Sequence, residues 1–195
     1  MDIDYIVNIL KNDGVVLLPT DTIYGLMCDA TNIEAVDKIY RMKNRDYSKP
    51  MLILVSNIDM LNKYCKVEND TEKMLIDKYF PGEMTIILKR KEEIPLLVTS
   101  GKDTVGVRIP NNKELLSIIS KLDKPLVSTS ANVSSNRVIT CIDELDEDIK
   151  DSVDYIYDAG SVSNEPSTIV KVDMDKVIIL REGKIAKEIR EKFMK

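Results

Sequence analysis

The sequence contains no histidine. That absence removes serine–histidine and cysteine–histidine nucleophilic systems, histidine general bases and histidine-ligated metals together. Chemistry has to run on carboxylates, lysine, arginine, hydroxyls, backbone amides or a reactive group that the substrate carries. Cysteine is scarce: Cys28, Cys65 and Cys141 are odd in number, far apart and form no C-x-x-C. This speaks against a disulfide framework or a zinc site and for a reducing compartment. No apolar run reaches the ~18–20 residues of a membrane span, and the N-terminus lacks a signal-peptide pattern. The chain therefore reads as soluble and cytoplasmic, with no membrane partner. Neither G-x-x-x-x-G-K-[ST] nor G-x-G-x-x-G occurs, so a bound nucleotide would be held by another device. A net charge of −5 at pH 7 argues against bulk electrostatic binding to nucleic acid. It leaves room for a local basic patch.

What is present is 195 residues, 44% of them hydrophobic, enough for a substantial core in one domain spanning residues 1–195. Ile3, Ile6, Val7 and Leu10 predict an amphipathic helix near 3–12. Further helices are predicted near 32–43 (through Ile33, Val36, Ile39 and Tyr40), 57–64, 70–80, between Ile109 and Leu126, near 142–150 and at the C-terminus. Short apolar runs predict buried strands at 15–18, 51–55, 85–88, 104–109 and 126–129, and later ones near 153–157, 168–172 and 176–180. Alternating elements of this kind predict an α/β domain.

Four segments break the rhythm. Pro19-Thr20-Asp21-Thr22-Ile23-Tyr24-Gly25-Leu26 follows a buried strand and reads as a loop at a strand's carboxyl end, where open α/β sheets bind ligands, or as a turn satisfying its own backbone. Lys43, Arg45 and Lys49 are three cations within seven positions. They suit an anion site, or a helix C-terminus complementing its macrodipole. In Thr104-Val105-Gly106-Val107-Arg108, strand alternation puts Thr104, Gly106 and Arg108 on one face. That face is a site for a carboxylate or phosphate, or the polar side of an edge strand. The run from Ser128 to Ser135 is either a hydroxyl cradle or a serine-rich turn.

Taken in order, P-T-D-T-I-Y-G-L, K-N-R-x-x-x-K-P, P-G-E-M-T, T-V-G-V-R-I-P, S-T-S-A-N-x-S, S-T-I-V and L-R-E-G resemble the YrdC domain family, the threonylcarbamoyl-AMP synthases. The resemblance runs from about Ile3 to Gly183, and the chain looks like the short, single-domain form. It implies a twisted, open mixed sheet flanked by helices, with a large concave ligand-binding face. It also implies an enzyme that combines L-threonine, bicarbonate and ATP into L-threonylcarbamoyl-adenylate and pyrophosphate. A separate complex then transfers the threonylcarbamoyl group to tRNA.

Carried over by position, the reaction's K-x-R and S-x-N pairs fall on Lys43 and Arg45 and on Ser130 and Asn132. ATP would meet Arg45, Lys49, Thr104, Ser130 and Arg181, with Mg²⁺ inferred from the triphosphate. Threonine would meet Thr22, Arg108, Ser128 and Ser167, with Thr20 in the same loop. The chain departs from the commoner pattern at Asp46, Leu54 and Val138, where many relatives carry Pro, His and a hydroxyl residue. Two other readings use the same segments: a double-stranded RNA- or tRNA-binding module, and another carbamoyl-adenylate enzyme.

Overall fold

The computed structural model describes residues 1–132, 137–163 and 165–194. In chain order the elements are α1 (Ile3–Lys11), β1 (Val16–Pro19), β2 (Tyr24–Asp29), α2 (Ile33–Met42), β3 (Leu52–Leu54), α3 (Ile58–Tyr64) and β4 (Cys65–Lys66). There follow α4 (Asp70–Tyr79), β5 (Met84–Arg90), α5 (Leu96–Thr99), β6 (Thr104–Arg108), α6 (Lys113–Leu122) and β7 (Leu126–Ser130). After a single 3₁₀ turn at Ile142–Glu144 come α7 (Glu147–Ser152), β8 (Tyr155–Ile156), β9 (Thr168–Asp173), β10 (Lys176–Arg181) and α8 (Ala186–Phe193).

The helices start where short polar side chains can cap them. Asp2, Asn32, Asn57, Asn69, Asn112 and Asp146 each accept a backbone N–H from the first turn that follows. Each such cap contributes about 1 kcal/mol. Periodicity then sets which face is buried: Ile6, Val7 and Leu10 in α1, and Leu115, Ile118, Ile119 and Leu122 in α6. In α2 the buried set is Ala35, Val36, Ile39 and Tyr40, while Ile33 is 59% exposed and lies off the predicted apolar stripe.

The strands form one mixed sheet in the order β10-β9-β5-β6-β3-β7-β2-β1-β8, with β4 added beside β5. The pairs β3–β6, β5–β9 and β1–β8 are parallel and the others antiparallel. Helices pack against it, α2 on β2, α4 on β5 and α8 on β10. This is the α/β domain that the alternating elements predict, with the open mixed sheet that the YrdC resemblance implies.

Three local expectations change. The segment from Pro19 to Leu26 is not all loop: Tyr24 to Asp29 is a fully buried strand paired with β1 from Val16↔Met27 to Pro19↔Tyr24. β6 is not an edge strand, because β5 and β3 pair with its two sides. The helix expected near 142–150 is split at Leu145 into a 3₁₀ turn and α7. The short elements β4 and α5 carry no periodicity that would have announced them.

Register builds the concave face. One row across the sheet reads Lys171, Ile87, Gly106, Leu52 and Ser128, and beside it Ile169 pairs with Thr85 and Arg108 with Leu54. The residues between them, Val170, Ile86, Val107, Ile53 and Val127, point the other way and are fully buried. Gly106 keeps the floor low: a Cβ there would stand 3.2 Å from Thr85 and 3.3 Å from Leu52. Gly183 matters differently, since its Cβ would meet backbone, 2.5 Å from Pro166 O and 2.7 Å from Thr168 N. Gly183→Ala should therefore force β9 and the chain after β10 apart and lower unfolding free energy by about 1–3 kcal/mol. Chemical denaturation measures it, and an unchanged midpoint contradicts the close approach.

Candidate active site

The concave face holds a hollow of about 570 Å³. Among the described residues its charged lining consists of Arg45, Lys102, Arg108, Lys171 and Arg181, with no aspartate or glutamate. In a chain carrying 33 acidic residues against 28 basic ones, that segregation is a property of the site and not of composition. Hydroxyls supply much of the remaining polar wall: Thr20, Thr22, Thr85, Thr104, Ser128, Ser130 and Ser167. Leu52, Leu54, Ile87 and Ile169 make the apolar floor. A second cleft of about 440 Å³, around Lys66 and Arg90, mixes its cations with Glu92, Glu93 and Asp103.

Two of the arginines are aimed by backbone carbonyls. Arg45 leaves α2 through Asn44, which takes a left-handed φ of 46°. It donates from Nε to Lys49 O at 3.0 Å and from Nη2 to Pro50 O at 2.8 Å. Tyr40 Oη braces the same loop, its one proton shared between Lys49 O and Leu97 O, each at 3.1 Å. Arg181, ending β10, donates from Nε and Nη2 to Ser167 O at 3.0 and 2.9 Å, and from Nη2 to Ser167 Oγ at 3.1 Å. Ser167 is itself fixed by a 2.7 Å hydrogen bond with Thr85. A carbonyl orients a guanidinium without neutralising it, so both keep their full charge toward the hollow.

Arg108 is different. It is 3% exposed and donates to Gly82 O from Nε, to Thr22 Oγ1 from Nη1, both at 2.8 Å, and to Asp21 Oδ1 from Nη2 at 2.6 Å. Asp21 Oδ2 accepts from Asn111 N at 3.0 Å, so this carboxylate is fully spoken for. Burial pulls the Arg108 guanidinium below its ordinary value and Asp21 pushes it back up. Arg181 is lowered by burial and then by Arg108. The two positive groups thus feel each other across the hollow, a repulsion that an anion between them would relieve.

Lys43 lies beneath the hollow, 1% exposed, as the C-cap residue of α2. Its ammonium donates to the backbone oxygens of Ser130 and Asn132 and, at 3.4 Å, to Asn132 Oδ1. It therefore ties the end of β7 to the end of α2, while the backbone N–H groups of Lys43 and Arg45 close the helix on Ile39 O and Tyr40 O at 3.2 and 2.9 Å. Ser130 Oγ donates to Asn132 Oδ1 within the same turn.

Of the residues singled out in the sequence, Thr20, Thr22, Arg45, Thr104, Arg108, Ser128, Ser130, Ser167 and Arg181 line this one hollow. Lys43 and Asn132 are buried behind it, and the Lys49 side chain is exposed outside it, contributing its carbonyl to Arg45. Thr20 spends its hydroxyl on its own turn, donating to Ile23 O at 2.8 Å and accepting Thr22 N and Ile23 N at 3.0 Å. Ser128 has room because Gly25 faces it: a Cβ at Gly25 would sit 2.8 Å from Ser128 Oγ. Leu54 and Val138 both line the hollow as apolar groups. Val133, Ser134 and Ser135 lie outside the described residues. Sequence reasoning gave no role to Asp21, Thr85, Lys102 or Lys171. Strand alternation alone could have placed Lys171, two residues from Ile169, on the concave face.

Cations oriented by carbonyls, with hydroxyls beside them on one concave face, are a donor set whose chemistry suits a multiply charged anion. The chain belongs to the Sua5–YciO–YrdC family, whose model, described as telomere recombination, matches residues 8–183. A relative from Methanocaldococcus jannaschii is 42% identical over 179 residues, which make up 90% of this chain and 83% of that protein. The threonylcarbamoyl-AMP synthase of Schizosaccharomyces pombe is 34% identical over 206 aligned positions, covering 93% of this chain and 50% of its own. Pyrococcus abyssi Sua5 in complex with L-threonine superimposes with a TM-score of 0.91 at 28% identity, over 97% of this chain and 56% of that one. The chain thus spans about half the length of the Schizosaccharomyces and Pyrococcus proteins. Among the described residues, no helix is long and apolar enough to cross a membrane.

Burial, with the positive Arg45 adding to it, pushes the Lys43 ammonium down from 10.5 to about 7. Between those values the unfolded chain binds the proton that the folded one has lost, so this group's contribution to stability rises with pH across that window. Below about pH 7 the cost of burying the charge is fully present. The thermal midpoint of wild type minus that of Lys43→Met should therefore climb from pH 7 to pH 10. A flat difference contradicts the burial.

Proposed function

We propose that the chain is an L-threonylcarbamoyladenylate synthase, with residues 1–195 acting as one YrdC-like unit. The observation that carries this reading is the hollow itself, cationic and hydroxyl-lined in an acidic protein and, among the described residues, lined by no carboxylate. The activity named for the Schizosaccharomyces relative and the L-threonine in the Pyrococcus structure support it.

The reaction suits a chain without histidine. Threonine's amine and bicarbonate condense, with loss of water, to a carbamate whose oxygen is already anionic. That oxygen attacks the α-phosphorus of ATP, a P–O bond forms, and the bond to the β-phosphate breaks to release pyrophosphate. No strong protein base is needed; the protein supplies position and charge. Arg45 and Arg181 face the phosphates, with Thr104 and Ser130 as hydroxyl partners. Preorganised donors of this kind are typically worth ~3–4 kcal/mol each in the transition state. Lys43 and Asn132 act from behind, by holding the Ser130 turn. Mg²⁺ enters with ATP as part of the substrate, since the hollow's walls bring no carboxylate to ligate it.

Arg108 takes the threonine carboxylate. Three of its five N–H donors are used by Gly82, Thr22 and Asp21, which leaves two for the substrate. Leu54 is Arg108's partner in the register, so an apolar wall lies beside the carboxylate end, where the threonine methyl can rest. One methyl in such a pocket is worth only ~1–3 kcal/mol, so serine should be rejected by no more than about 100-fold.

The product's threonylcarbamoyl group passes to tRNA through a separate complex. In the rival reading, RNA binding through phosphates would weaken with a salt slope near −1 per contact. Threonine plus bicarbonate against carbamoyl phosphate, in an ATP–pyrophosphate assay, separates the remaining alternative.

Arg45→Ala should abolish threonine-dependent pyrophosphate release with the circular dichroism spectrum unchanged, and wild-type turnover contradicts the phosphate role. Arg108→Ala should raise the threonine requirement well above any rise in the ATP requirement. Equal rises would mean that Arg108 touches phosphate.

A further inference from the structure

Two of the five cations in the hollow have no role so far. Lys102 and Lys171 line it, yet neither ammonium makes an ion pair or a hydrogen bond among the described residues. Most other cations that meet a carboxylate do so on the outer surface, as Lys89 does with Glu68 and Lys192 with Glu188. Both lysines line the hollow and neither has a carboxylate partner among the described residues, so their charges are available to a ligand there.

Their position says which part of a ligand they meet. Lys171 stands on β9 one row from Ile169, and Ile169 is the register partner of Arg181. Lys171 itself pairs with Ile178, so Lys171 and Arg181 lie on adjacent strands a few residues apart across the bulge between Ile179 and Arg181. Lys171 also shares a row with Ile87 and Gly106, one row removed from Arg108. Lys102 precedes Thr104, and Thr104 lies four residues, or about 13 Å, along the strand from Arg108. Both lysines thus continue the line of positive charge away from the end that Arg108 and Asp21 occupy.

We propose that Lys171 and Lys102 form the seat of the β- and γ-phosphates, the pair that leaves as pyrophosphate. This rests on the synthase reading and deepens it. The chemistry fits the residue type. The arginines nearer the reacting end are fixed in orientation by carbonyls, which suits atoms that must be held still. Lysine is a compact point charge on a flexible stem and can follow a phosphate group as the bond to it stretches and it departs. Lys102 is exposed and Lys171 half-buried, so the departing group moves toward solvent and not into the core.

The test uses the full chain and two independent readouts. In steady state, the Lys102→Gln/Lys171→Gln double variant should raise KM for ATP by about 10-fold, as two lost charge-assisted contacts at a half-open site would. Its KM for threonine and its inhibition by AMP, which lacks both phosphates, should stay within about twofold. Calorimetric titration with inorganic pyrophosphate needs no turnover: wild type should bind it and the double variant should bind it about 10-fold more weakly. Lys171→Arg, which keeps the charge, should recover most of the loss. Equal weakening toward AMP and pyrophosphate would place the lysines on the nucleoside side and overturn the proposal, as would unchanged pyrophosphate binding. If wild type releases no pyrophosphate with threonine and bicarbonate but the titration differs between variants as stated, the synthase reading fails while the phosphate seat stands.

Discussion

Everything in the site depends on how its positive charges are held. Cations aimed by carboxylates would arrive at the hollow already neutralised. Arg45 is aimed instead by the carbonyls of Lys49 and Pro50, and Arg181 by that of Ser167. Each carbonyl fixes direction through a dipole and leaves the unit charge free to act on a ligand. This device also couples the loops to the chemistry, because the carbonyls belong to the segments that carry the other functional side chains. Arg108 is the exception, held by Asp21 at 2.6 Å, and in the reaction proposed above it meets only a single carboxylate.

The same constraint accounts for the emptiness of the face. A sheet face left open to water is normally covered by a helix or filled by large side chains. Here Gly106 and Gly25 keep the floor and wall low, and small hydroxyl residues stand where bulk would close the hollow. The opposite face carries the stability through Ile53, Ile86, Val107 and Val127, all fully buried. Binding and folding are thereby assigned to opposite sides of the same strands, by alternation alone.

Much of this was legible from residues. The amphipathic stripe of α1, the buried run of β1 and the shared face of Thr104, Gly106 and Arg108 follow directly from period 3.6 and period 2. Tyr24 to Asp29 escaped because a strand buried on both faces, entered through Thr, Asp and Gly, has no alternation and looks like a loop. The partnership of Asp21 with Arg108 spans 87 positions and exists only once β2 and β6 share a sheet. Lys43 was identified by type and neighbourhood, but whether its ammonium faced ligand or backbone depended on how the turn after β7 folds back over α2. The resemblance to the YrdC family added what periodicity cannot contain, a reaction and a set of roles.

The most direct measurement is a crystal structure of the chain with magnesium, a non-hydrolysable ATP analogue and L-threonine. The account predicts phosphate oxygens at about 2.7–3.0 Å from guanidinium nitrogens of Arg45 and Arg181, with both arginines still bonded to their backbone carbonyls. Phosphates seated in the mixed-charge cleft around Lys66 and Arg90, or arginines that abandon their carbonyls to reach the nucleotide, would contradict it.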